Sequence, residues 1–500
     1  MVNAPSNQPN PGPIPIPPVA VARHPAALLS PRDLRGWVDS LPLGNPPKAA
    51  EHLLHQLRLL VRDPSPGPRF AALLALYDQP LDQLLQVVGE RLKNNTDNGV
   101  LLDQLEHLTI ELLNESAFGQ LRMANQMLES GKAPQADMLY RAMCLLDSAL
   151  KIERLHYRRL APQAWGLLLH IFLLAEHLQL ADQPMTALSV EPDQPQTMRG
   201  LFSRVLVITL CDPHQHLPGD LQRWHAWTGA NSELLELTLL PQGSAAIPVD
   251  IGGSQMPLAA ARRSKPGPDI RYLASDRFVQ QLADDPMAPQ GLLQAFNELI
   301  RGRKTPEQRQ SPRQARHHPF RLLHGLHSVH RRLTELTDTE SPSRRELAPV
   351  SCRQINQSAT GAAFTIQGPL NPPLSVGEPI LAEAEAAGRN TAPVGFAGRI
   401  KRLVTADQQQ IEIGVEKLQG RLIPVAITGS ATERTRGTNY AVLQHATEGT
   451  QHLLLAASSI FREGDLVVVE GAQQRYNLRM LTLLAGYQRI AYIAVEIAES

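Results

Sequence analysis

The chain has 500 residues, more than one typical domain and enough for two to four. Its 48 Lys and Arg balance 48 Asp and Glu, so the formal net charge is zero; no global field draws it to nucleic acid or an acidic membrane, and any basic site has to be local. Aromatic residues amount to 4%, too sparse for a stacking platform for single-stranded nucleic acid, whereas 43% hydrophobic residues suffice for packed cores.

Residues 1–28 are rich in Pro, Asn and Ser. They offer too little apolar surface to offset chain entropy and are expected to be disordered. They also lack the basic and apolar regions of a secretory signal. Further on, "PPKAAEHLLHQLRLLVRD" opens on prolines, which suit a helix start, and Leu53, Leu54, Leu57, Leu60 and Val61 recur on one face. "DQPLDQLLQVVGERL", with Asp78 at its start, "GVLLDQLEHLTIELLNES", "ADMLYRAMCLLDSALKIERLHYRRL" and "PQAWGLLLHIFLLAEHLQL" repeat the device. Residues 29–215 are therefore expected to form a helical domain, with no fixed repeat period. The longest apolar run, Trp165 to Ala175, is too short to span a bilayer and reads as a buried helix. Residues 216–304 mix helical patterns with a short strand at "AAIPVDIGG" and read as a mixed, linker-like region.

From 305 the pattern changes. "HPFRLLHG" reads as a strand and "GLHSVHRRLTEL" as a short amphipathic helix. "VSCRQINQS" and "GAAFTIQG" are strands separated by a turn. "GEPILAEAEA", "APVGFAGRIKRLV", "QQIEIGVEKL" and "LIPVAITG" are further short alternating runs. Strands at this spacing imply a small antiparallel β-barrel over 305–425 with an inserted helix. Residues 426–500 continue as a C-terminal small β module. The expected fold class is multidomain α plus β: a multi-helix domain, a small barrel and a second β module.

The turn "NQSATG" has two readings. As a plain hairpin turn, Asn356 and Ser358 bond local backbone and Gly361 supplies a positive φ. As a binding rim, Asn356 and Ser358 face a planar polar ligand, and Gly361 lets the backbone come close. Upstream, Arg309 and Arg313 stand in an RxxxR spacing in a proline-containing lead-in to the barrel. The same spacing at Arg58–Arg62 and Arg154–Arg158 falls in helical sequence and reads as solvated surface.

Taken together, residues 305–425 resemble a PilZ domain, the bacterial receptor module for cyclic di-GMP. That family pairs an RxxxR segment ahead of the barrel with a [DN]xSxxG turn between two barrel strands. Here these are Arg309 and Arg313, then Asn356, Ser358 and Gly361, and "IGVEKL" resembles a late barrel strand. The resemblance implies a cyclic di-GMP binding effector in second-messenger signalling, with outputs such as motility, pili, secretion or exopolysaccharide and biofilm control. The chemistry is consistent: a guanidinium is a rigid fork of donors that fits phosphate oxygens and also O6 and N7 of guanine. Arg313 and Asn356 stand further apart than the family pattern has them. The inserted helix and an acidic linker account for the excess. Arg344 and Arg345, nearer the turn, are the alternative arginine pair.

His324, His327 and His330 are spaced three apart, but no companion Cys or HExxH pattern supports a metal, so they are read as a helix face. Cys144, Cys211 and Cys352 form no CxxC pair, which fits a reducing compartment and a cytoplasmic protein. No GxSxG, Walker A or GxGxxG string appears, so no enzyme and no cofactor are expected. The expected partners are cyclic di-GMP and a protein bound through the helical half, with no nucleic acid polymer and no membrane insertion. The alternative expectation is a non-sensing adaptor with a degenerate barrel.

Overall fold

The computed structural model describes residues 13–65, 67–94, 100–159, 162–185, 195–243, 246–251, 270–301, 313–337, 349–368, 370, 373–385, 395–406, 410–430, 439–445, 452–471, 474–487 and 490–498. The chain divides into two compact units, with the main break between residues 305 and 306; the short segments 157–159 and 214–217 group with the second unit.

The first unit contains α1 (Pro31–Asp39), α2 (Pro46–Val61), α3 (Phe70–Ala75), α4 (Asp78–Asn94), α5 (Val100–Glu129), α6 (Ala136–Leu155), α7 (Pro162–His177), α8 (Met198–Leu210) and α9 (Pro218–Ala230). There follow β1 (Glu236–Thr238), β2 (Ile247–Asp250), β3 (Ile270–Ala274), α10 (Asp276–Asp284) and α11 (Gln290–Ile300). Local chemistry sets the helix starts. Asn45 caps α2 by accepting from the Lys48 N–H, with Pro46 in the first turn where no donor is needed. Leu53, Leu54, Leu57 and Leu60 are buried along one face, as their spacing requires. Trp165 and Phe172 of α7 are fully buried, and the Phe172 ring stacks on Phe202 of α8 at 4.3 Å.

Two expectations are corrected here. The described residues within 216–304 are not a linker. Trp224, Phe278, Leu292 and Phe296 share one apolar core with Trp165 and Phe202, and Trp227 meets Phe278 edge-on at 5.2 Å. Nor is the proline-rich start structureless throughout. Ile14 is 2% exposed; its N–H donates to Asn125 Oδ1, and Asn125 Nδ2 donates back to its carbonyl, both at 2.9 Å. Further along, the Ala20 N–H donates to the Arg62 carbonyl at 2.8 Å and Arg23 pairs with Asp63 at 2.9 Å, so the segment is seated at several points.

The first unit also buries an ionic cluster, which overturns the reading of Arg154 as solvated surface: it is 2% exposed. Asp147 pairs with Arg204, lies 3.8 Å from Arg154 and 3.4 Å from His225, and all four are at most 3% exposed. Burial opposes the Asp147 charge, but Arg204, His225 and Arg154 together hold the carboxyl well below the usual carboxylate range.

The second unit consists of two closed antiparallel barrels of six strands. The first is formed by β5 (Pro319–His324), β6 (Val350–Gln357), β7 (Gly361–Gln367), β8 (Pro379–Ala384), β9 (Gly395–Thr405) and β10 (Gln410–Lys417), with a two-residue β4 (Gln314–Ala315) added along β6. Around the barrel the order is β5-β6-β7-β10-β9-β8. Phe364, Ile366, Ile400 and Ile413 fill it. The inserted helix α12 (Leu326–Thr337) lies between β5 and β6 in the chain, as expected.

The second barrel runs β11-β12-β13-β16-β15-β14 and closes from β14 to β11. Its strands are β11 (Arg421–Ser430), β12 (Asn439–His445), β13 (His452–Ala457), β14 (Leu466–Glu470), β15 (Arg475–Tyr487) and β16 (Ile490–Ile497). The run "LIPVAITG", expected in the first barrel, is β11 of the second. It pairs with β12 and β14, so the division falls after Lys417 rather than at 425. Leu323, Val329, Leu381, Val442, Leu455 and Tyr492 pack the two barrels and α12 together. The Tyr492 hydroxyl donates to the Gly377 carbonyl at 2.9 Å, and the Tyr487 ring occupies the place a side chain at Gly377 would take.

Candidate functional site

The hairpin between β6 and β7 turns through Ser358, Ala359 and Thr360. The Ser358 N–H donates to the Gly361 carbonyl at 2.8 Å, and the Gly361 N–H donates to Ser358 Oγ at 3.1 Å. A serine that bonds backbone three residues on makes a self-contained turn. Gly361 does not adopt the positive φ expected of it. What demands glycine is space: a Cβ there would stand 2.9 Å from the Val415 carbonyl oxygen of β10. The close approach reserved above for a ligand is made by the neighbouring strand.

Asn356 follows a bulge. The register of β6 against β7 shifts between Gln354 and Asn356, and such a bulge re-aims the side chains around it. The Asn356 side chain is half-buried and, among the described residues, makes no hydrogen bond. Its amide therefore retains both donors and its acceptor for another group.

On its other edge β6 pairs with β4, Ala315 opposite Asn356 and Gln314 opposite Gln357. The same register, one step further, brings the exposed Arg313 level with Ser358. Strand pairing thus closes the long interval in sequence between Arg313 and Asn356. Arg309, Arg344 and Arg345 lie outside the described residues.

Two residues that the motif reading passed over complete the surroundings. Lys417 ends β10; its main-chain N–H donates to the Thr360 carbonyl at 2.9 Å and its Nζ to the Ser358 carbonyl at 3.0 Å. The ammonium lies 4.8 Å from the centroid of the Phe396 ring, and burial lowers its pKa. Glu416 is taken by Arg399 at 2.6 Å and Lys401 at 3.8 Å. The alternation Ile413, Val415, Lys417 was visible in the sequence and points Lys417 to the inner side of the barrel mouth.

The histidines divide between two elements. His324 ends β5 and its Nδ1 lies 3.0 Å from a Glu378 oxygen. His327 and His330 lie on α12, each with its ring 5.0 Å from that of Tyr440. Among the described residues no group of three His, Cys, Asp or Glu is placed to hold a metal.

The arrangement thus presents a guanidinium-bearing segment, an unengaged amide and an ammonium around one turn, a set suited to an anionic ligand with polar planar groups. Among known families, residues 32–242 match the model described as "Cyclic-di-GMP receptor FimW, N-terminal domain". A search of curated proteins finds no match to the chain. The family match falls on the helical unit, for which no short motif had suggested a family.

Proposed function

We propose that this protein is a cyclic di-GMP receptor whose first barrel is PilZ-like and holds the nucleotide at the β6–β7 hairpin. The observation that carries the reading is the β4–β6 register, which brings Arg313 level with the Asn356–Ser358 turn. The family match of residues 32–242 supports the ligand class independently, because it comes from a different part of the chain. Arg313, with Arg309 four residues earlier, supplies guanidinium forks for phosphate oxygens or a guanine edge. Asn356 reads the guanine edge, Ser358 holds the turn, and Gly361 keeps β10 close beneath it.

Nucleotide binding acts on the segment that joins α11 to β4 in the chain, so it is suited to passing a signal to protein partners of the helical unit. A cytoplasmic, non-enzymatic effector fits this reading. Cys144, Cys211 and Cys352 are buried and form no disulfide, and among the described residues no helix is long and apolar enough to cross a membrane.

Calorimetric titration of the full chain with cyclic di-GMP tests the proposal. Micromolar or tighter binding is expected. Arg313→Ala should weaken it about tenfold or more, the scale of one lost hydrogen bond to a charged group. Absence of heat at micromolar nucleotide overturns the receptor reading and leaves the adaptor. Unchanged affinity in Arg313→Ala overturns the arginine assignment.

A further inference from the structure

On the strength of the cyclic di-GMP reading above, we propose that Lys417 is a phosphate-binding residue of the same site, reaching the nucleotide from the inner side of the barrel mouth.

Three observations place it there. Lys417 continues the inward-facing series Ile413 and Val415, so a charged group ends a series that is otherwise apolar. Its backbone is fixed on both sides, to Thr360 through its own N–H and to Ala397 through the N–H of Leu418 at 3.0 Å. The side chain is therefore held at the mouth rather than free to sweep into solvent. Its Nζ then bonds the carbonyl of Ser358, the central residue of the NxSxxG turn.

The charge itself lacks an anion. Among the described residues no carboxylate lies within ion-pair reach of Lys417. Glu416, the adjacent residue, points to the opposite face of β10 and neutralises Arg399 and Lys401 instead. A half-buried ammonium with no counter-charge is costly, and burial lowers its pKa accordingly. An ammonium has three donors. One is spent on Ser358, and the Phe396 ring face attracts the cation without replacing an anion. A phosphodiester oxygen at the turn would supply the missing charge and accept a second N–H.

The test titrates the full chain and its Lys417→Met, Lys417→Gln and Lys401→Met variants with cyclic di-GMP at two salt concentrations, and melts each without ligand. Lys417→Gln keeps a donor for the Ser358 carbonyl, so it separates the charge from the turn bond. Both Lys417 variants should bind about tenfold or more weakly and with a smaller salt dependence, as loss of a charged phosphate contact requires. Lys401→Met should bind as the wild type does. If Lys417→Met melts early, Lys417→Gln carries the comparison. Wild-type binding with equal affinity in Lys417→Gln overturns this inference and leaves the receptor reading standing. No binding by the wild type overturns both.

Discussion

Ala315 pairs with Asn356 across β4 and β6, although an entire helix separates them in the chain. That register position brings the exposed Arg313 beside the motif turn. An antiparallel partner strand approaches from a fixed side, so α12 can be inserted between β5 and β6 without moving β4 away from Asn356.

Gly361 is held by a packing requirement rather than by its backbone conformation. Gly361→Ala places a methyl group against the Val415 carbonyl, a backbone atom with nowhere to move. The expected loss is about 1–3 kcal/mol, the usual range for overpacking. Gly414→Ala is the control, because its Cβ would meet only Arg402 Cβ at 3.4 Å and should cost much less. Denaturant unfolding of both variants checks this; equal losses would show that crowding is not the cause.

Tyr492 ties the two barrels through its hydroxyl. Tyr492→Phe keeps the ring, and with it the Arg399 guanidinium 5.3 Å from its centroid, but removes the 2.9 Å bond to the Gly377 carbonyl. Stability should fall by about 1 kcal/mol or somewhat more, since a buried acceptor loses its donor. Burial holds the phenol well above its ordinary pKa. Burial raises Tyr77 and Tyr140 in the same way, so absorbance titration should find several tyrosines that ionise only on unfolding, and Tyr492→Phe should reduce that group by one.

The buried ionic cluster makes the protein sensitive to acid. Burial, helped by Arg204 and opposed by Asp147, lowers His225 from its ordinary 6.5 to about 4. The unfolded chain takes up this proton near 6.5 and the folded chain only near 4. The contribution is thus complete above 6.5 and is lost as pH falls toward 4, by about 3 kcal/mol in all. Unfolding free energies measured between pH 7 and 4 should decline less steeply in His225→Gln. A parallel decline would show that other groups dominate this window.

Asn125 is the clasp on the proline-rich start. Asn125→Ala removes both bonds to the Ile14 backbone and should cost about 2 kcal/mol, two ordinary buried hydrogen bonds. Hydrogen exchange reads it locally. The Ile14 amide should lose its protection while amides of α7 and α8 keep theirs. Unchanged protection at Ile14 would show that its apolar burial and the Ala20 and Arg23 contacts hold the segment without Asn125.

The helices were legible because their signal is local. Asn45 before a proline start and leucines at helical spacing need no knowledge of the rest of the chain. Most barrel strands were legible for the same reason, but β1, β3 and the two-residue β4 were too short to show a period. Strand membership was not legible: "LIPVAITG" alternates equally well for either barrel, and only its pairing with β12 and β14 assigns it. Composition read residues 1–28 as disordered; their described part, from residue 13, is instead anchored by tertiary contacts of Ile14, Ala20 and Arg23 that no local average can show.

Though it left out the short β1, β3 and β4, the sequence by itself determined where the long amphipathic helices and most barrel strands lie, and which turn carries Asn356, Ser358 and Gly361. These are matters of periodicity and turn chemistry, decided within a few residues. Only the tertiary structure decided that β4 runs beside Asn356, that β10 fills the space at Gly361, and that Lys417 closes the turn from within the barrel. Those relations depend on which strand edges meet and in what register, and hydrogen bonding between distant segments is invisible to any local pattern.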